Sequence, residues 1–273
     1  MNRLRKFLIL LLAVGLSTCA WAASADANGV AQASLPLVWS QSDRANQSLI
    51  AAPGLPRMAP ELALQTFQQR AARQLSDPVS YSANTVVQAE LPDTAQRGEF
   101  QLHRRFIAPK TLLFTPVRFV GDNFVKSNII ARLLQAEVDH VNKGEGTRTA
   151  INDANYKFSY KGTDEIEGGA VHVFHVKPRA RRAGLFKGRI YLDASTGSLR
   201  RAEGSLVKTQ SFFVKKVDFV QDYADIDGYT LPVHTRSLAK TRVVGRAVVE
   251  IATDAYDLNT SASAEMQNSG GSQ

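Results

Sequence analysis

Five histidines, one cysteine and a knot of carboxylates are the groups in this 273-residue chain best suited to catalysis or metal binding. His172 and His175 stand three apart, which on a strand puts their rings on opposite faces. His103, His140 and His234 lie in separate stretches, with no H-E-x-x-H or paired-cysteine spacing to join them. Neither a metal nor another cofactor is expected. Serine, histidine and aspartate all occur, but without the G-x-S-x-G turn that exposes a nucleophilic serine. Asp164, Glu165 and Glu167 adjoin Gly168-Gly169 and read as a solvated loop. A pair of carboxylates for glycoside hydrolysis needs only spatial proximity, which spacing cannot reveal. The expectation is a binder with no catalytic residue.

The second chemical feature is charge. Lys177 to Arg189 carries six cations, and Arg179, Arg181, Arg182 and Lys187 flank the apolar Leu185 and Phe186. Such a tip can touch anionic lipid, where each Lys or Arg near the surface adds about 1 kcal/mol. The plainer reading is a solvated hairpin loop whose charges protect a sheet edge. Over the whole chain 33 Lys and Arg face 25 Asp and Glu, a formal +8. No aromatic-and-basic signature for nucleic acid accompanies that excess, so nucleic acid is not an expected partner.

Three of the cations, Arg3, Arg5 and Lys6, precede an apolar run from Phe7 to Leu16 and then Ala20-Trp21-Ala22. That order of charge, apolar core and small residues is a secretory signal, with cleavage expected after Ala22. The run is too short for a membrane span, which needs roughly 20 residues. Cys19 follows Thr18, a poor context for lipidation; cleavage after Ala22 removes it and leaves a mature chain without cysteine. Residues 1–22 are thus read as signal, 23–59 as a flexible leader rich in Ala, Ser and Pro, and 259–273 as a disordered polar tail. A periplasmic location is expected.

Between these ends, 60–258 reads as one domain built mainly of strands. Pro60 to Leu75 forms a helix with Leu62, Phe67, Ala71 and Leu75 as its apolar stripe. Strands follow near 81–91 and 99–107, then an apolar stretch at 111–120 broken by Pro116. A second helix starts at Asp122 or Asn123, carries Ile130, Leu133, Leu134, Val138 and Val141 at helical spacing, and ends at Gly144 and Gly146. Seven further strands run near 155–161, 170–177, 186–193, 198–207, 212–222, 228–238 and 243–256. Gly168-Gly169, Pro178, Ser195-Thr196-Gly197, Asp227-Gly228 and Gly245 separate them. Apolar and polar residues alternate along them, as in an antiparallel sheet covered on one face.

Residues 186–204 and 223–232 carry the most specific patterns: Gly188-Arg189-Ile190-Tyr191-Leu192-Asp193 with Gly197, then Tyr223, Ile226, Gly228, Leu231 and Pro232. With the order of elements, these resemble the LolA/LolB/RseB group of envelope proteins, specifically over about 155–258. The resemblance implies an α+β fold, mainly β. In it a curved antiparallel sheet forms an incomplete β-barrel, with helices plugging the concave face. The patterned residues are turn formers and mark the fold; they bring no catalytic role with them.

Incomplete closure of an amphipathic sheet leaves room for an apolar ligand. Phe158, Tyr160, Ile190, Leu192, Val249 and Ile251 on strands, with Leu134 on the second helix, are the candidate lining; ordinary core packing is the alternative for all of them. The leading functional expectation is a carrier for an acyl or lipid moiety, with lipid or an acylated lipoprotein as partner. The alternative is an RseB-like signalling or interaction module that meets an envelope membrane protein and carries no ligand.

Overall fold

The computed structural model describes residues 57–209, 214–242 and 244–258. The signal, nearly all of the leader and the tail lie outside the described residues. Helix α1 (Pro60–Ser76) opens on a proline, where a missing N–H costs nothing, with Glu61 in its first turn and Arg73 in its last. Strands β1 (Tyr81–Leu91), β2 (Gln96–Ile107) and β3 (Thr111–Gly121) follow. The next helical segment runs through α2 (Asn123–Val125), a π turn (Lys126–Ile130), α3 (Ala131–Asn142) and the short α4 (Gly146–Thr149). A continuous run of strands completes the chain: β4 (Tyr156–Ile166), β5 (Gly169–Pro178), β6 (Phe186–Asp193), β7 (Leu199–Leu206), β8 (Val214–Ile226), β9 (Tyr229–Thr241) and β10 (Arg246–Leu258).

All ten strands form one antiparallel sheet in the order β3-β2-β1-β10-β9-β8-β7-β6-β5-β4. The sheet curves but does not close, so β3 and β4 remain as edges. Paired residues share a face. One such row crosses every strand on the concave side: Phe119, Phe100, Val87, Ile251, Thr235, Gln221, Ala202, Ile190, Phe174 and Tyr160. It is apolar toward both edges and polar in the middle. Gly188 and Gly204 oppose each other in the neighbouring row. A Cβ on Gly188 would stand 1.8 Å from the Glu203 carbonyl oxygen, and one on Gly204 2.3 Å from that of Lys187. Only glycine permits so close a crossing, and it lets the sheet coil there.

The apolar concave face is divided between helices. The π turn and α3 place Ile129, Ile130, Leu133 and Leu134 against Val87, Ala89, Leu91, Val217 and Val249. Helix α1 places Phe67 over a second cluster that includes Phe174, Ile190, Leu192, Leu199 and Phe219. Burial of each large side chain is worth about 1.5–3 kcal/mol, so covering this face drives the fold.

Several local expectations need correcting. The buried side of α1 is Ala63, Phe67 and Gln74, while Leu62 is 49% exposed and lies outside it. Asp164 and Glu165 belong to β4, which continues past a register shift between Tyr160 and Thr163 that breaks its alternation. Strand β3 runs through Pro116, which a bulge on this edge strand accommodates. Proline cannot donate to a ladder, so Pro232 would be expected at a strand start or edge, yet it sits at a bulge inside the central strand β9. Gly146 opens α4; the preceding helix already ends at Asn142, followed by Gly144 at a φ of 63°.

Two turn glycines separate strain from packing. Gly228 has a φ of 85° and open space around its Cβ position, whereas Gly197 has a φ of 69° with Ala63 O and Thr66 Cβ each 3.0 Å from that position. Gly228→Ala should cost about 1 kcal/mol from backbone strain alone. Gly197→Ala should cost about 2 kcal/mol, because α1 must also move. Urea unfolding measures both, and equal losses would contradict the seating of α1 on this turn.

Candidate binding face

The site begins with what holds each helix to the sheet. Arg70 on α1 donates to Ser198 Oγ at 2.6 Å and to the Gly228 carbonyl at 3.0 Å, and it pairs with Asp225. Ser198 Oγ donates to the same Asp225 carboxylate at 2.7 Å. The β6–β7 turn beneath is set by Asp193, whose Oδ1 accepts the Ser195 and Thr196 amides at 2.9 Å each. The residues that resemble a fold marker therefore build the platform on which α1 sits.

On the other side, Arg104 of β2 is almost fully buried and pairs with Glu137 of α3. Its Nε also donates to Tyr81 Oη at 3.0 Å. Burial works against its charge, but Glu137 with the Tyr81 and Tyr256 hydroxyls more than offsets that, and its pKa stands above the ordinary value. Burial raises the Tyr256 phenol as well, so that hydroxyl stays neutral beside the ion pair at physiological pH.

Between the two clusters the concave face carries a polar seam. Gln221, Thr235 and Ser237 are buried on the central strands β8 and β9, and Thr85 meets Thr253 with their hydroxyl oxygens 3.2 Å apart. Gln221 Oε1 accepts from Tyr223 Oη at 3.1 Å, and Ser237 Oγ donates to the Val249 carbonyl at 3.3 Å. Helix α1 contributes two amides of a different kind. The Nε2 atoms of Gln68 and Gln74 are buried without a hydrogen-bond partner among the described residues. Such an amide costs about 1–3 kcal/mol when left unpaired.

The candidate lining residues fall into three places. Leu134, Val249 and Ile251 belong to the cluster under α3. Ile190 and Leu192 are fully buried under α1, with Phe158 packed against the same cluster. Tyr160 shares their face but stands at the edge strand, 41% exposed, with its ring against Phe174 and His172. The basic tip lacks the exposed apolar pair expected of it, because Leu185 and Phe186 are buried in the cluster under α1. Arg179 Nε donates to the Asp153 and Tyr156 carbonyls, Arg181 Nε to the Val207 carbonyl, and Arg182 to Asn155 Oδ1 at 2.5 Å. Lys187 is exposed. The three arginines brace the β5–β6 loop; Arg179 and Arg181 are exposed and Arg182 is half-buried. Among the described residues no group of three or more His, Cys, Asp and Glu side chains converges as a metal site, and no helix is long and apolar enough to cross a membrane.

Sequence reasoning did not single out Gln68, Gln74, Gln221, Arg70 or the Arg104–Glu137 pair. A signal for Gln74 was present: it lies on the helical stripe of Ala63 and Phe67, where an amide breaks an otherwise apolar side.

Residues 150–256 match a family of unknown function, DUF5686. No curated protein matches the chain. Among solved structures the chain is similar to a LolA superfamily protein from Nitrosomonas europaea, at 11% identity and a TM-score of 0.36 over 76% of this chain and 96% of that one. It is also similar to a DUF1329 family protein from Desulfovibrio piger, at 9% identity and a TM-score of 0.40, with 73% and 93% covered. A putative outer membrane lipoprotein-sorting protein domain from Vibrio parahaemolyticus is similar at 13% identity and a TM-score of 0.40, with 77% and 98% covered.

The Arg104–Glu137 pair allows a sharp test. Glu137→Ala strands a buried guanidinium and should cost about 3 kcal/mol in urea unfolding. The double variant Arg104→Met with Glu137→Leu should recover most of that loss, since it removes both charges and keeps the volume. A single variant as stable as the parent would mean that the pair does not anchor α3.

Proposed function

We propose that this protein is an exported, periplasmic carrier that holds an acyl or lipid moiety between the curved sheet and its covering helices. The observation that supports the reading is the pair of buried amide nitrogens of Gln68 and Gln74, on the helix that covers an apolar cluster, which have no hydrogen-bond partner among the described residues. A hydrocarbon chain satisfies the apolar clusters but offers nothing to an N–H donor. The ester or amide carbonyl that joins an acyl chain to its carrier lipid or protein supplies the missing acceptor. The division of the interior into two clusters, each with its own covering helix, gives a second support. Helices fixed by separate ion pairs can part along the polar seam without dismantling either cluster.

A binder also fits how the polar groups are used. Asp225, Asp222, Glu203 and Glu250 are each engaged in an ion pair or hydrogen bond on the sheet. That leaves a ligand to be held by shape and burial.

A protein-interaction module without a carried ligand is the second reading, and one observation favours it. Edge strand β3 exposes Leu113 (48%), Val117 (57%) and Val120 (52%), and Phe124 just beyond it is 40% exposed. An exposed apolar edge is a ready template for a strand from a partner.

A fluorescent fatty-acid ester separates the two. The carrier reading predicts saturable uptake by the parent. Leu134→Trp should reduce uptake at least severalfold by competing with the guest under α3, with the melting temperature within a few degrees. Gln74→Leu should weaken the ester more than the plain hydrocarbon, and should raise the stability of the ligand-free chain by removing an unpaired amide. No uptake by the parent, with Leu134→Trp destabilised by about 1–3 kcal/mol as overpacked core, would overturn the carrier.

A further inference from the structure

A separate cleft of about 260 Å³ opens where the end of α3, helix α4, the β5–β6 loop and the chain after β7 meet. Its walls carry Lys143, Arg148, Arg182 and Lys208 against a single carboxylate, Glu145. Glu145 is already shared: Oε2 lies 3.4 Å from His140 Nδ1, and Oε1 lies 4.0 Å from Arg148. Lys143 and Lys208 have no carboxylate partner among the described residues. Two nitrogens in the wall, His140 Nε2 and Arg182 Nε, are buried and have no hydrogen-bond partner there either. The cleft is held shut at its back by contact between loop and helix. A Cβ on Gly184 would stand 2.5 Å from Thr149 Cγ2, so only glycine lets the two segments meet.

Cations gathered in a concavity repel one another and attract an anion more strongly than the same charges on a flat surface. The carbonyl end of α3 works the other way, but it amounts to about half a charge. Its carbonyls are also partly satisfied by the amides of Lys143, Gly144 and Glu145. The volume is at the small end for organic ligands, which suits a compact, multiply charged group. Burial holds the His140 pKa below its ordinary value, and an anion against the ring would relieve that.

We propose that this cleft binds a phosphate group, taken either from the headgroup of an anionic lipid or from a free phosphate compound. The site does not depend on the carrier reading, because its ligand need carry no acyl chain. The test uses the exported chain with inorganic phosphate, glycerol 3-phosphate and phosphatidylglycerol–phosphatidylcholine vesicles, by calorimetry and co-sedimentation at low salt. The double variant Lys143→Gln with Lys208→Gln removes two cations that hold no carboxylate among the described residues, so folding should survive. It should weaken binding about tenfold or more. Lys177→Gln with Lys187→Gln, on the neighbouring basic rim, should leave binding within about twofold. Cleft-dependent binding of the soluble phosphates alone identifies a free ligand. Cleft-dependent binding of vesicles identifies a headgroup. Equal losses in the two double variants would reduce the effect to general surface charge and overturn the site, as would a parent that binds none of the three. Fatty-acid ester uptake, measured on the same variants, stays unchanged if the two sites are independent.

Discussion

A ten-stranded sheet that curves without closing creates a concave apolar face that cannot be left in water. The rest of the structure answers that constraint. The π turn and α3 cover the part formed by β1, β2 and the strands near β10, while α1 covers the part nearer β6. Neither helix is held by apolar contact alone, which is non-directional and would let it slide. Arg70 ties α1 to the turns at Ser198 and Gly228, and Arg104 ties α3 to β2 through Glu137. The two ties differ in kind. The first is partly exposed and contributes modestly, as surface pairs do. The second is buried, so breaking either half is costly while replacing both is not.

The proposal of an acyl guest rests on the same geometry. A protein optimised only for stability would place leucine or methionine where α1 carries Gln74, whose Nε2 is buried with no hydrogen-bond partner among the described residues. The seam of Gln221, Thr235 and Ser237 lies between the clusters and gives the interior a defined polar line. An acylated ligand has the matching division, with a long apolar chain and one polar link. The second reading rests instead on the outer edge at β3, whose exposed apolar side chains suit a strand of another protein.

The strands and most turns were legible from alternation and turn chemistry, whereas the pairing of β1 with β10 was not. Asp193 and Gly197 marked the β6–β7 turn, and Asp227-Gly228 the β8–β9 turn, because those residues bond the local backbone or tolerate positive φ. What stayed hidden is non-local. The bulges at Pro232 and after Tyr160 arise from how a neighbouring strand pairs, which period-two counting along one strand does not register. The π turn adds a residue to the helix and brings Ile129 and Ile130 both to the sheet. Arg104 and Glu137 are 33 positions apart, and nothing in either local sequence shows that they meet. Of the candidate lining residues, the buried ones were legible as apolar, Leu134 on a helix and the others on strands. The amides that give the face its polarity were legible only as an exception on a helical stripe.

The carrier account is tested most directly by native mass spectrometry of the protein purified gently from the envelope of its own cells. The account predicts a bound population heavier than the bare chain by the mass of an acyl-bearing molecule, released on mild activation and extractable into organic solvent. A chain found wholly at its bare mass, or bound only to another protein without acyl mass, would contradict it.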